Sequence, residues 1–239
     1  MQLVRFRYSG RFGHFLRAEA NCNGLTYPVS PRTALLGLLG AILGLEKDSA
    51  QLALADARLA LAGRLPPRFW HKTNIRKDPP APLPWEVKKS MKGTQADEKN
   101  SRFPQEYLWK PDFEIWAGLP ENYHAELAIR LRERRWHFMP CLGLSELLAD
   151  LEYLEEVTAD PLPEGLYEIR NVFRKDEGAI DTTAACERGV TLHILRMPRL
   201  VTSDRVFTLA DYRLEHEGRP VPIHTAAAMK AGNEVITFL

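Results

Sequence analysis

Arg17, Asn21 and Asn23 stand shortly before Tyr27, Ser30, Arg32 and Thr33, and the last of these open an apolar run that continues to Leu45. Basic and amide side chains ahead of a helix start suit an anionic ligand. The first backbone N–H groups of a helix have no partner within it, and the helix dipole draws negative charge to that end. A phosphate there accepts bonds from the amides, while Arg17 and Arg32 add charge. Tyr27 has two readings: its ring stacks on an unpaired base, or it packs with Pro28 against the beginning of the helix. Single-stranded RNA combines phosphates with free base faces, and ferredoxin-like sheets are a common platform for it.

Signatures of catalysis are sparse. The histidines (His14, His71, His124, His137, His193, His216 and His224) show no HxxxH or HExxH spacing, so no zinc site is indicated. There is no P-loop lysine motif and no GxSxG, and Gly10-Arg11-Phe12-Gly13 is too short for a dinucleotide fingerprint. The late carboxylates Glu155, Glu156 and Asp160 form a run of the kind that is normally solvated. The residues point to binding rather than chemistry, with no metal or cofactor expected.

The chain has 239 residues, a formal charge of +1, 45% hydrophobic and 26% charged residues. This is globular composition and excludes a disordered tail or a fibre. The balance hides an asymmetry: residues 1–32 carry +4, residues 72–110 carry +4, and the remainder carries −7. If folding brings the two basic blocks together, they form one face for a phosphate backbone; otherwise they are two solvated loops. Cys22, Cys141 and Cys186 are too few and too scattered for a disulfide framework, which predicts a reducing cytoplasm. The longest apolar run, 34–45, is far shorter than the roughly 20 residues of a membrane span, so no membrane partner is expected.

These residues need elements to position them. Alternation predicts a strand over 1–9. Ser30 as cap and Pro31 in the first turn predict a helix over 33–45, with Gly37, Gly40 and Gly44 forming a bare stripe that implies close packing, on a sheet for preference. A second helix is expected over 49–64 and a strand over 68–76. Residues 78–104 lose all periodicity and hold Pro79, Pro80, Pro82, Pro84 and Pro104 among lysines; so long a break inside a domain is usually functional or disordered. A bent strand or strand pair over 107–119 follows, then a helix over 121–136 with Leu127, Ile129 and Leu131 inward. The order approaches a split βαβ, ferredoxin-like α+β plan over residues 1–149. Short β-patterned runs (165–174, 189–195, 205–209, 233–239) predict a mostly β subdomain over 150–239.

The stretch TYPVSPRTALLGLLGAILGL at 26–45 resembles the signature of the fifth CRISPR-associated protein family, whose members hold the 5′ handle of CRISPR RNA in Cascade complexes. Residues 107–119 look like that family's central strand, and 139–143 with Leu144-Ser145-Glu146 resembles its Pro-x-Leu-Gly turn. The resemblance covers about residues 1–147. It implies an RRM-related, ferredoxin-like domain of the RAMP superfamily with an inserted β-hairpin thumb, and 78–104 lies where that thumb belongs. By position, Arg17, Asn21, Tyr27, Ser30, Arg32 and Thr33 should line the handle. Lys72, Arg76, Lys88, Lys89, Lys92 and Arg102 should face RNA phosphates or a neighbouring subunit. The implied partners are CRISPR RNA, the backbone and large subunits of a type I complex and, through that complex, target DNA. One branch of the family cuts precursor RNA with a Tyr, Lys and His set. Here Leu43 stands in the tyrosine position and Tyr123-His124 in place of Lys-His, so only His124 matches. The resemblance therefore implies the non-catalytic branch, with a metal-independent endoribonuclease as the alternative.

Overall fold

The computed structural model describes residues 1–20, 23–46, 48–76 and 100–239. Strand β1 (Gln2–Ser9) alternates as its sequence predicts: Val4, Phe6 and Tyr8 enter one core, while Leu3, Arg5 and Arg7 project from the opposite face. Short strands β2 (Phe12–Gly13), β3 (Phe15–Leu16) and β4 (Thr26–Tyr27) lead to helix α1 (Arg32–Leu43). Helix α2 (Ser49–Ala53), β5 (Arg58–Ala62), the hairpin β6 (Arg68–Arg76) and β7 (Asn100–Trp109), β8 (Asp112–Gly118) and helix α3 (Glu121–Glu133) follow. The C-terminal region holds β9 (Asp150–Pro161), β10 (Gly165–Ile169), β11 (Phe173–Arg174), β12 (Ala179–Ile180), helix α4 (Thr182–Glu187), β13 (Leu192–Val201), β14 (Phe207–Glu215), β15 (Val221–Thr225), β16 (Met229–Ala231) and β17 (Glu234–Ile236).

The main sheet runs β17-β16-β9-β1-β8-β5, with every neighbouring pair antiparallel. Helices α1 and α3 cover one face, where Leu35, Leu39, Ile42, Leu127 and Leu131 pack on Phe6, Ile115 and Leu61. The sheet is continuous across position 149/150, because β9 pairs with β1 along its length and β16 and β17 extend the same edge. Two further three-stranded sheets, β10-β15-β12 and β11-β14-β13, make the rest of the C-terminal region.

Several expectations change. The helix over 49–64 is a five-residue helix and then a strand. Leu59 and Leu61 face the helices while Ala60 and Ala62 face the other core. A strand buried on both faces shows no polar alternation, so its Leu/Ala run imitates a helix. Ile129 is 40% exposed, whereas Leu127, Ala128 and Leu131 share the buried face at helical spacing. Ser30 does not cap α1: Pro31 holds the cap position with no side-chain bond. In the glycine stripe, Gly40 packs closely on Ala50 of α2 and Gly44 on the His137 ring, so neither packs on the sheet. Gly37 faces open space, and Gly44 ends the helix at φ 82°. The insert expected at 78–104 gives up 100–104 to β7.

On the helix-free face, Trp116 is fully buried beneath Arg5 and Arg170, which lie 5.0 and 5.3 Å from its ring centre. Both arginines reach Glu114 and Glu234. Burial by itself raises the Glu114 carboxyl, but the bonds from Arg170 and Arg5 outweigh it and hold the group below its ordinary value. A carboxylate depressed in this way adds stability above its unfolded pKa and loses it as pH falls through the folded one. The urea midpoint is therefore expected to drop on acidification below the ordinary carboxylate range, and Glu114→Gln to flatten that drop. An unchanged acid limb in the variant would remove Glu114 from this role.

Candidate nucleic-acid interface

Residues 14–27 form a stitched excursion between two parts of the fold. His14 N–H donates to Leu142 O at 2.9 Å, and Phe15 N–H donates to Thr26 Oγ1 at 2.8 Å. β3 then pairs with β4, setting Phe15 opposite Tyr27. Further along, Gly24 N–H donates to Pro104 O at 2.9 Å and Glu106 N–H to Gly24 O at 2.8 Å, which fixes this segment to the edge of β7. The buried His14 ring sits 2.6 Å from Glu106 O, so its Nδ1 carries the proton; burial lowers its pKa.

Within this frame Arg17, Tyr27 and Thr33 come together on one open cleft of about 510 Å³. Arg17 Nε donates to Thr26 O at 3.1 Å, and its guanidinium lies 5.6 Å from the centre of the Tyr27 ring. Tyr27 is only 3% exposed, so of its two readings the packing one matches the geometry. Burial raises its phenol pKa. The rest of the lining comes from the Gly143-Leu144 turn of the family-like motif and from residues no motif singles out: Asp48 and Gln51 around α2, and Pro198, Arg205 and Phe207 of the β13–β14 hairpin. Phe207 is 47% exposed and offers the aromatic surface that Tyr27 does not. The only sequence signal for it is an aromatic beside Arg205 in a turn-like stretch, and nothing in the spacing joins position 207 to position 27.

The remaining expected residues separate. Arg32 points inward at 6% exposure, and its guanidinium donates to Ala55 O at 2.6 Å, Ala57 O at 3.0 Å and Arg199 O at 3.3 Å. Burial lowers its pKa, and nearby Arg199 adds to the effect. It is a structural clamp for the start of α1, not a solvent-facing cation. Ser30 is buried, and its Oγ has no partner. Lys72 and Arg102 are exposed on the β6–β7 hairpin. The ladder sets Lys72 opposite Pro104 and Asn74 opposite Arg102, so both cations share one hairpin face with the exposed Trp70. Arg76 closes the described ladder opposite Asn100. Asn21, Lys88, Lys89 and Lys92 lie outside the described residues.

The sheet face is not a stacking surface, because Trp116 is covered. Among the described residues, no group of three or more His, Cys, Asp or Glu side chains is placed to hold a metal ion. No helix among them is long and apolar enough to cross a membrane.

A family model described as CRISPR-associated protein (Cas_Cas5) matches residues 3–223. The chain belongs to this Cas5 family. The match runs well past the 1–147 stretch that carries the resemblance in sequence and extends into β15. Among solved structures, a chain of a CRISPR RNA-guided surveillance complex is similar at a TM-score of 0.58 and 15% identity, covering 92% of this chain and 91% of that one. A CRISPR protein from Archaeoglobus fulgidus is similar at 0.56 and 13%, covering 98% and 97%. These likenesses show a shared fold. A search of curated proteins returns no significant match.

Proposed function

We propose that this Cas5 chain is the subunit of a cytoplasmic type I CRISPR interference complex that binds and caps the 5′ handle of CRISPR RNA. In this reading the handle lies in the cleft beside Arg17, and the basic hairpin face with Lys72 and Arg102 meets RNA phosphates or the adjoining backbone subunit. Other surfaces dock the large subunit, and target DNA is reached only through the complex. The observation that carries the reading is the Arg17, Tyr27 and Thr33 cleft at the start of α1 in a member of this family. The strand order β9-β1-β8-β5 with its two covering helices supports a ferredoxin-like, RAMP-type core, and the β6–β7 hairpin supports a thumb.

We further propose that the chain is not a nuclease. RNA self-cleavage needs groups that take a proton from the 2′-OH, stabilise the phosphorane and protonate the leaving oxygen. At the position of the expected tyrosine stands Leu43, an aliphatic side chain packed against the core. One feature favours the alternative: the His124 ring has a buried Nδ1 without a hydrogen-bond partner, and burial lowers its pKa, which favours the neutral base form.

One experiment tests both readings. The purified chain is titrated with RNA bearing the repeat-derived handle across a salt series, and the same RNA is incubated with it in EDTA. Binding is expected to be salt-sensitive, with Arg17→Ala weakening it about fivefold and reducing the salt slope by about one. The RNA is expected to stay intact. Wild-type affinity in Arg17→Ala removes the cleft from the site, and cleavage that vanishes in His124→Ala makes the chain a processing enzyme.

A further inference from the structure

One ion pair spans the mouth of the cleft between distant parts of the chain. Arg205 Nη2 lies 3.0 Å from Asp48 Oδ2 and 3.4 Å from Oδ1, and both residues line the cleft. Asp48 precedes α2, while Arg205 sits in the turn between β13 and β14.

Two local features set this pair apart from an ordinary surface contact. Both residues hold left-handed backbone, with φ of 69° at Asp48 and 59° at Arg205, where side chains are disfavoured. At Arg205 the turn demands it: Arg205 N–H donates to Thr202 O and Thr202 N–H to Val206 O, each at 3.0 Å. Glycine or asparagine serves such a position better, so the arginine has a reason beyond the turn. Asp48 occupies the cap position of α2, where a carboxylate ordinarily accepts a helix N–H, yet it makes no capping bond. Its oxygens face Arg205 instead.

We propose that Arg205 is a phosphate-binding residue of the cleft, occupied by Asp48 until an RNA backbone displaces it. The inference rests on the reading of the cleft as an RNA site. The exchange is easy because the pair is exposed, at 64% and 63%, and screened by solvent. A phosphodiester presents the guanidinium with the same charge and two acceptor oxygens. Once released, the exposed Asp48 carboxylate is hydrated by solvent. Arg17 and Arg205 line the same cleft and can then hold one strand, with the exposed Phe207 of that lining as a surface for a base. A ligand must outcompete an aspartate, which selects for a strand anchored at both arginines.

The test is a double-mutant cycle on the full chain, read by fluorescence anisotropy with labelled handle-bearing RNA. Asp48→Asn is expected to tighten binding about threefold, and Arg205→Ala to weaken it about fivefold with a shallower salt slope. Asp48→Asn is expected to add little once Arg205 is gone, since its benefit comes from freeing that side chain. No tightening in Asp48→Asn, or an undiminished gain in the Arg205→Ala background, overturns the inference. If Arg17→Ala loses affinity while both other variants bind as wild type, only this inference fails. If none of the proteins binds the RNA, the reading of the cleft fails with it. Both substitutions are at exposed positions, and unchanged melting temperatures exclude a folding defect.

Discussion

Alanine at position 143 is expected to destabilise the protein by about 3–5 kcal/mol, enough to unfold a marginal domain near its working temperature. Gly143 holds φ 95°, and an alanine Cβ there would collide with the carbonyl oxygen of His14. That carbonyl cannot yield freely, because His14 N–H is bonded to Leu142 O and its ring to Glu106 O. Relief would require moving β3 and the segment that carries Arg17. Gly189 is the control: its φ is 62°, but nothing lies within 4 Å of an added Cβ. Gly189→Ala is expected to cost only the left-handed penalty, about 1 kcal/mol. Urea unfolding of both variants separates collision from backbone preference, and equal midpoints would show that the contact with His14 is not resisted.

Removal of the Arg32 guanidinium is expected to cost about 3 kcal/mol in Arg32→Met. The methionine fills the space but removes the donor from the buried carbonyl of Ala57 and from the partly buried carbonyls of Ala55 and Arg199. Those bonds tie two pieces to the start of α1: the approach to β5 through Ala55 and Ala57, and strand β13 through Arg199. Arg32→Lys is expected to fall between, since an ammonium keeps the charge but cannot span the same fork. Thermal unfolding measures the order. If Arg32→Met melted with the wild type, the clamp would carry no net stability.

Much of this was legible in the residues. The alternation of β1, the apolar run of α1 and the charged face of α3 are local periodicities, and a period survives whatever packs against it. The sequence points to Arg17 and Thr33 because a helix start attracts anions by its own unpaired amides, and both line the cleft. Strand β5 was hidden because two-sided burial erases alternation. The inward turn of Arg32 is hidden for a related reason: along the chain an arginine near a helix start looks like an anion ligand, and the carbonyls of residues 55, 57 and 199 that surround it come from distant positions.

By itself, the sequence determined where α1 begins, that positive charge gathers in two blocks, and which family signature runs through 26–45. These depend on neighbours along the chain. Only the tertiary structure decided that Arg32 turns inward, that Tyr27 lies beneath Arg17, and that Asp48 faces an arginine far away in sequence. A side chain's partners are set by the packing of the whole fold, and no local spacing encodes which of two cations will be buried and which left facing the cleft.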